Sequence, residues 1–147
     1  TSPVLRAAQA AALSGVGVTH HDSVANLPEG PLLLVANEFF DALPVRQFLR
    51  AGAVWRERMV GLDGGALAFG LSEPVDPPEL GERGEVADGG LVETCPAAPG
   101  IMGEIAGRIA AFGGAALIVD YGGWRSLGDT LQAVRGHEVD DPLTHPG

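Results

Sequence analysis

Two clusters of polar residues could carry chemistry. The first spans residues 37–41 (NEFFD) and the second spans residues 120–122 (DYG), and each directly follows a run of five apolar residues. Two carboxylates at the mouth of a pocket can hold a guanidinium or act as a general base. If a helical turn begins at the first cluster, Glu38 and Asp41 lie at i and i+3 and share a face. The first cluster is therefore a candidate catalytic site.

Both clusters also have a structural interpretation, which the residues alone leave open. Asn37 can cap the turn, and Glu38 can lie at the positive end of a helix dipole. Gly122 can let the backbone approach a ligand, or it can form only the turn that leaves a strand.

A further polar segment, residues 20–23 (HHDS), invites a metal interpretation. Adjacent histidines on a strand point to opposite faces, and zinc needs three or four ligands. We therefore predict no metal site here. Asp22 is a better candidate for a hydrogen bond to a ligand amine. His137 lies in a loop-rich tail, where a lone histidine is usually solvated.

Composition excludes several classes of function. All nine basic residues are arginine. Without lysine the chain holds neither a phosphate-binding P-loop nor a pyridoxal Schiff base. A net charge of −10 and the lack of a basic run argue against nucleic-acid binding. The single Cys95 excludes an internal disulfide, and no apolar run approaches the roughly 18 residues of a membrane span.

The elements that must position these clusters are predicted from apolar patterning. A helix should begin at Ser2-Pro3 and end near Gly15, and a short strand should cover residues 16–20. Residues 32–36 and 115–119 are wholly apolar, which is typical of strands buried on both faces. A helix should begin after Cys95. This pattern predicts an α/β domain with a mainly parallel sheet, whose ligands bind at the carboxyl ends of the strands.

Residues 45–70 have a different sequence pattern from the segments before them. Turn signals at residues 51–53 and 63–65 separate three segments, residues 45–50, 54–62 and 66–71, and predict an antiparallel meander. Residues 74–90 should form a surface loop, and a last strand is expected around residues 130–134. We divide the chain into a first core segment (1–44), an antiparallel insertion with its loop (45–90), and a return to the core with a tail (91–147).

Residues 35–45 (VANEFFDALPV) resemble the central motif of the MidA-type family of S-adenosylmethionine-dependent methyltransferases. This family includes a mitochondrial methyltransferase that acts in complex I assembly. Further segments match in order, namely residues 2–5 (SPVL), 21–23 (HDS), 55–58 (WRER), 114–122 (GAALIVDYG), 128–133 (GDTLQA), His137 and 141–143 (DPL). The resemblance implies a class I, Rossmann-like methyltransferase fold that uses S-adenosyl-L-methionine. By analogy it also implies methylation of arginine in a protein substrate, a respiratory complex I subunit.

The resemblance also implies roles for individual residues. The catalytic set would be Glu38, Asp41 and Tyr121. The cofactor-binding set would be Asp22, Ser23 and Asn37. The substrate-binding set would be Glu38, Asp120 and His137.

The family's glycine-rich cofactor loop is expected upstream of Thr1, so the chain resembles a middle piece of such an enzyme. A sheet that lacks its first two strands should expose an edge and apolar surface. The alternative function is a binding or assembly module that keeps the fold without catalysis. The expected location is the bacterial cytoplasm, or the mitochondrial matrix in a eukaryote.

Overall fold

The structure is a computed structural model that describes residues 2–122 and 128–145, without the side chains of residues 82–84. Within these residues the chain divides into two compact units. The first contains residues 2–37 and 99–119, and the second contains residues 38–98, 120–122 and 128–145. The three sequence segments proposed above remain a prediction.

The described residues form two α-helices and eight strands. In chain order these are α1 (Pro3–Ala12), β1 (Leu32–Asn37), β2 (Arg46–Ala51), β3 (Val54–Asp63), β4 (Ala66–Val75), β5 (Leu91–Thr94), α2 (Ala97–Phe112), β6 (Gly114–Val119), β7 (Ala133–Arg135) and β8 (Glu138–Asp140). Short 3-10 helices cover Val24–Asn26 and Pro78–Gly84.

Helix α1 begins as its sequence predicts. The Ser2 hydroxyl accepts a hydrogen bond from the Leu5 N–H at 3.4 Å, and proline occupies the first turn, where its missing N–H costs nothing. The strand predicted for residues 16–20 is wrong, because that segment forms no strand. An extended segment needs a neighbouring strand for its backbone hydrogen bonds. In the described part of the chain, β1 pairs only with β6.

Strands β1 and β6 pair in parallel, from Leu32 opposite Gly114 to Asn37 opposite Val119. Helix α2, which precedes β6, ends at Phe112. The next residue, Gly113, has a φ of +80°, which suits glycine, and its N–H donates to the Ile109 carbonyl at 2.8 Å. The helix predicted after Cys95, the two predicted apolar strands and the predicted parallel α/β architecture are confirmed.

The burial predicted for these strands is wrong. In β1 half-buried and exposed residues alternate, with Leu33 84% and Val35 73% exposed, and every residue of β6 is exposed. The reason is that the described residues do not cover both faces of this two-stranded sheet. The expectation of an exposed edge and exposed apolar surface is met.

The second unit contains the predicted meander. Strands β2, β3 and β4 are antiparallel, and β5 adds to the free side of β2, which gives the order β4-β3-β2-β5. Gly64 and Gly65 make the two-residue turn between β3 and β4 with φ values of +57° and +89°, which glycine adopts readily. The position of β5 was not predicted.

The core of the second unit lies on one face of this sheet. Phe48, Trp55 and Val92 are buried there with Leu80. Residues 74–90 were predicted as a surface loop, and this is wrong in part. Strand β4 runs on to Val75, and the 3-10 helix brings Leu80 into the core because that side chain would otherwise expose its apolar surface.

Strands β7 and β8 form a hairpin, so the last predicted strand exists but begins at Ala133. Gly136 and His137 form its turn, with φ values of +60° and +68°. Among the described elements, each of these strands contacts only the other.

Candidate functional site

The loop after β1 does not form the helical turn that the sequence suggested. Residues 38–41 are irregular, and Glu38 has a φ of +49°, a left-handed conformation that is uncommon outside glycine. Glu38 and Asp41 therefore do not share a helix face, and the capping interpretation of Asn37 fails for the same reason. The only regular feature is a tight turn in which the Leu43 N–H donates to the Phe40 carbonyl at 3.2 Å.

Asp120 fixes this loop. Its Oδ2 accepts hydrogen bonds from the backbone N–H groups of Phe40 at 2.9 Å and Asp41 at 3.2 Å. Its Oδ1 accepts from the N–H of Tyr121 at 2.9 Å. The two polar clusters of the sequence are thus joined, although they are about 80 residues apart along the chain.

The carboxylates of Glu38 and Asp41 are left available. Both residues are exposed, and no hydrogen bond or ion pair within the described residues engages either side chain. Carboxylates are acceptors that suit the forked donors of a guanidinium. The loop can therefore accept a cationic, hydrogen-bond-donating group.

Tyr121 and His137 differ in their relation to this loop. Tyr121 follows Asp120 directly and is 78% exposed. His137 is exposed at the tip of the β7–β8 hairpin. In the described part of the second unit, no hydrogen bond links His137 to Glu38, Asp41 or Asp120.

The residues predicted to bind a cofactor all lie in the first unit. Asp22 is exposed and forms an ion pair with Arg6, at 2.6 Å between Nη2 and Oδ1. The hydrogen bond from Arg6 and its positive charge hold the pKa of the Asp22 carboxyl below its usual value. An ionised carboxylate accepts hydrogen bonds, and the contact of Asp22 with a cofactor amine stays a prediction.

Ser23 and Asn37 occupy the ends of elements. The Ser23 hydroxyl accepts from the Ala25 N–H at 3.2 Å and so caps the first 3-10 helix. Asn37 is the last residue of β1, at the carboxyl end of the parallel pair. No hydrogen bond of the described residues joins Asn37 to Asp22 or Ser23.

Sequence reasoning did not find the polar network on the meander. Gln47 is buried, and its Nε2 donates to Glu93 Oε1 at 2.6 Å and to Asp129 Oδ1 at 2.8 Å. Asp129 also pairs with Arg58, and Glu93 accepts from the Thr130 N–H at 3.0 Å. The network ties the segment that begins at residue 128 to strands β2, β3 and β5. The signal in the sequence is the alternation of polar and core residues, with Gln47 beside Phe48 and Glu93 beside Val92, which places the polar side chains on the opposite face of the sheet.

Within the described residues, no three histidine, cysteine, aspartate or glutamate side chains are grouped closely enough to hold a metal ion. Neither of the described helices is long and apolar enough to cross a membrane.

The whole chain, residues 1–147, matches the profile of a family of S-adenosyl-L-methionine-dependent methyltransferases. The chain belongs to this family. The resemblance found in the sequence is confirmed, and the methyltransferase fold is confirmed with it.

Relatives of this methyltransferase family support the assignment. The chain is 41% identical over 138 residues to the mitochondrial protein arginine methyltransferase NDUFAF7 of Mus musculus, a match that covers 91% of this chain and 31% of the relative. The protein of the same name from Danio rerio is 37% identical over 139 residues, covering 91% of this chain and 32% of the relative. The chain spans about a third of the length of these relatives.

A solved structure gives the same fold. It is the crystal structure of a protein from Burkholderia thailandensis, described as a "COG1565 superfamily member and likely methyl transferase" and bound to S-adenosyl-homocysteine. It is 30% identical to this chain, with a TM-score of 0.72 over 99% of this chain and 41% of the other.

Proposed function

We propose that the protein containing this chain transfers a methyl group from S-adenosyl-L-methionine to an arginine side chain of a protein substrate. The observation that carries the proposal is the loop after β1, where Asp120 holds the backbone and the carboxylates of Glu38 and Asp41 stay available. Family membership and the names of the relatives support the same reaction.

Arginine is a difficult methyl acceptor. Its positive charge is delocalised over the guanidinium, and its pKa exceeds about 12, so its nitrogens are poor nucleophiles. In the proposed role, Glu38 and Asp41 accept hydrogen bonds from one side of the guanidinium and localise its positive charge there. The opposite nitrogen then carries more electron density and attacks in line.

The reaction balances with no further reactant. A nitrogen–carbon bond forms between the acceptor nitrogen and the methyl group, and the sulfonium–carbon bond breaks. The electron pair of that bond returns to sulfur, which leaves S-adenosyl-homocysteine. The extra proton on the nitrogen is lost to solvent or to a carboxylate. Most of the acceleration comes from positioning, and charge stabilisation by Glu38 and Asp41 adds to it.

The cofactor supplies the activated methyl group. Asp22 is proposed to accept a hydrogen bond from the adenine amine, and Ser23 and Asn37 to contact the cofactor at the ends of their elements. Tyr121 is proposed to orient the acceptor arginine, and His137 to contact the substrate protein.

The proposed partner is a protein with an accessible arginine, and the family resemblance suggests a subunit of respiratory complex I. The relatives are named as mitochondrial, so the matrix is the proposed location in a eukaryote, and the cytoplasm in a bacterium.

The test uses the gene product at its natural length. S-adenosyl-homocysteine is titrated into it by calorimetry, and methyl transfer from labelled S-adenosyl-L-methionine to arginine-containing proteins is then measured. Micromolar binding with label on arginine supports the proposal. A folded protein that binds no cofactor would make it a non-catalytic module.

Matched variants test the role of the carboxylates. Glu38→Gln and Asp41→Asn keep the shape of the side chains but remove their charge. Each is expected to abolish transfer while the affinity for S-adenosyl-homocysteine stays within a few-fold. Glu73→Gln, at an exposed glutamate of β4 in the same unit, is the control and should stay active. Full activity in both loop variants would contradict the assigned role.

A further inference from the structure

Both oxygens of the Asp120 carboxylate accept hydrogen bonds from backbone N–H groups. Oδ2 accepts from Phe40 and Asp41, and Oδ1 accepts from Tyr121. Hydrogen bonds to an ionised acceptor are roughly twice as strong as those between neutral groups. The side chain therefore holds the backbone of residues 40, 41 and 121 in place.

The loop that Asp120 holds contains an unfavourable conformation. Glu38 has a φ of +49°, which is sparsely populated for a residue with a side chain. Such conformations persist only where surrounding contacts over-determine them. Two of the three residues that follow Glu38 donate their N–H groups to the single oxygen Oδ2 of Asp120. Loss of that acceptor frees residues 38–41 to relax.

We propose that Asp120 is a positioning residue that holds the loop 38–41 in the shape that presents the carboxylates of Glu38 and Asp41. This inference rests on the proposed function. It gives Asp120 a role different from direct contact with the substrate. A displacement of about 1 Å in a reacting group can lower the rate about a hundredfold. The rate of methyl transfer should therefore depend on the two hydrogen bonds from the Phe40 and Asp41 N–H groups to Asp120, which we call the clamp.

The chain offers a matched control. Asp88 is an exposed aspartate of the same unit, and its Oδ1 accepts from the Gly52 N–H at 2.6 Å in the turn between β2 and β3. Asp88→Ala therefore also removes an aspartate that holds a turn, but at a turn with no proposed part in the chemistry.

The experiment compares Asp120→Ala, Asp120→Asn and Asp88→Ala in the protein at its natural length. The first readout is the hydrogen exchange of the Phe40 and Asp41 amides, which needs no substrate. Asp120→Ala should speed exchange at both amides about tenfold or more. Asp120→Asn keeps one acceptor oxygen and should restore part of the protection. Asp88→Ala should leave both amides unchanged.

The second readout is methyl transfer, with kcat and KM measured separately. Asp120→Ala should lower kcat by roughly ten- to a hundredfold, with a smaller change in KM and unchanged affinity for S-adenosyl-homocysteine. The kcat of Asp120→Asn should lie between that of Asp120→Ala and that of the unaltered protein. Asp88→Ala should keep its kcat, which separates positioning from a general loss of stability.

Several outcomes overturn the inference. Unchanged exchange in Asp120→Ala would show that the clamp does not hold the loop. Lost protection with an unchanged kcat would show that the loop shape does not matter for transfer. Retained protection with a raised KM for the arginine substrate alone would show direct contact with substrate. If the unaltered protein transfers no methyl group, the proposed function fails, and the exchange data still test the clamp.

Discussion

Replacing Asp129 with alanine is expected to destabilise the second unit by about 2–3 kcal/mol. The Oδ1 atom of Asp129 accepts from Gln47 Nε2 at 2.8 Å and from the Leu131 N–H at 3.1 Å. The other carboxylate oxygen pairs with Arg58. At roughly 1.5–3 kcal/mol for each hydrogen bond to a charged group, the three would sum to about 4.5–9 kcal/mol.

That sum is too large for two reasons. The Asp129 side chain is 41% exposed, and exposed ion pairs contribute only about 0.2–1 kcal/mol. Its partners also keep other contacts, since Gln47 still donates to Glu93 and the Arg58 guanidinium still lies 3.8 Å from the centre of the Phe69 ring. The buried amide of Gln47 loses one acceptor without a replacement, and this loss dominates the estimate.

The assay is urea unfolding followed by the fluorescence of Trp55, which is buried in the core of the second unit. A Trp124→Phe background leaves Trp55 as the single tryptophan of this chain. The midpoint should fall with an unchanged m value, because a change in m would report on the unfolded state instead. Asp76→Ala, at an exposed aspartate of the same unit, should shift the midpoint little. A loss below about 0.5 kcal/mol for Asp129→Ala, the level of ordinary surface substitutions, would refute the reasoning.

Three further predictions concern stability. Phe48→Ala should cost about 3–5 kcal/mol because the ring is fully buried, whereas Val60→Ala on the exposed part of β3 should cost far less; urea midpoints measure both. The Arg46 guanidinium holds the pKa of the Glu57 carboxyl below its usual value of about 4.3, so this pair stabilises the fold above that pH. The free energy of unfolding should therefore fall on acidification below about pH 4.3, more steeply than in Arg46→Met, as acid titration of stability will show. Gly64→Ala should cost about 1–2 kcal/mol because φ is +57° there, and an unchanged thermal midpoint would contradict this.

Local signals predicted several elements of this fold, although the strand expected at residues 16–20 is absent. The serine-proline start of α1 and the glycine turn after β3 depend only on neighbouring residues. The order of strands could not be predicted in the same way. The four residues of β5 carry too short a pattern, and their position beside β2 depends on pairing with residues more than forty positions away.

The roles of the candidate site residues stay a prediction, and the loop that carries them has a shape that the sequence did not predict. Glu38, Asp41 and Asp120 were identified by their place after apolar strands, which is a local signal. The left-handed backbone of Glu38 and the acceptors for the Phe40 and Asp41 amides depend on a residue about 80 positions away. Burial of β1 and β6 was mispredicted because it depends on what covers the sheet and not on the apolar residues themselves.

The contacts between residues that lie far apart in the sequence have a consequence for synthesis on the ribosome. The first unit is completed by pairing β1 with β6 and by a hydrogen bond from Arg108 to the Leu27 carbonyl, 81 residues apart. The second unit is completed by bonds such as Gln47 to Asp129, 82 residues apart. Contacts of such separation form slowly, and a nascent chain cannot make them until the later partner has emerged. The pairing of β1 with β6 and the bond from Gln47 to Asp129 therefore form late, after residues 114 and 129 have been synthesised. A pause in elongation before residue 114 would delay the pairing of β1 with β6, and chaperone binding to the nascent chain should increase during that pause.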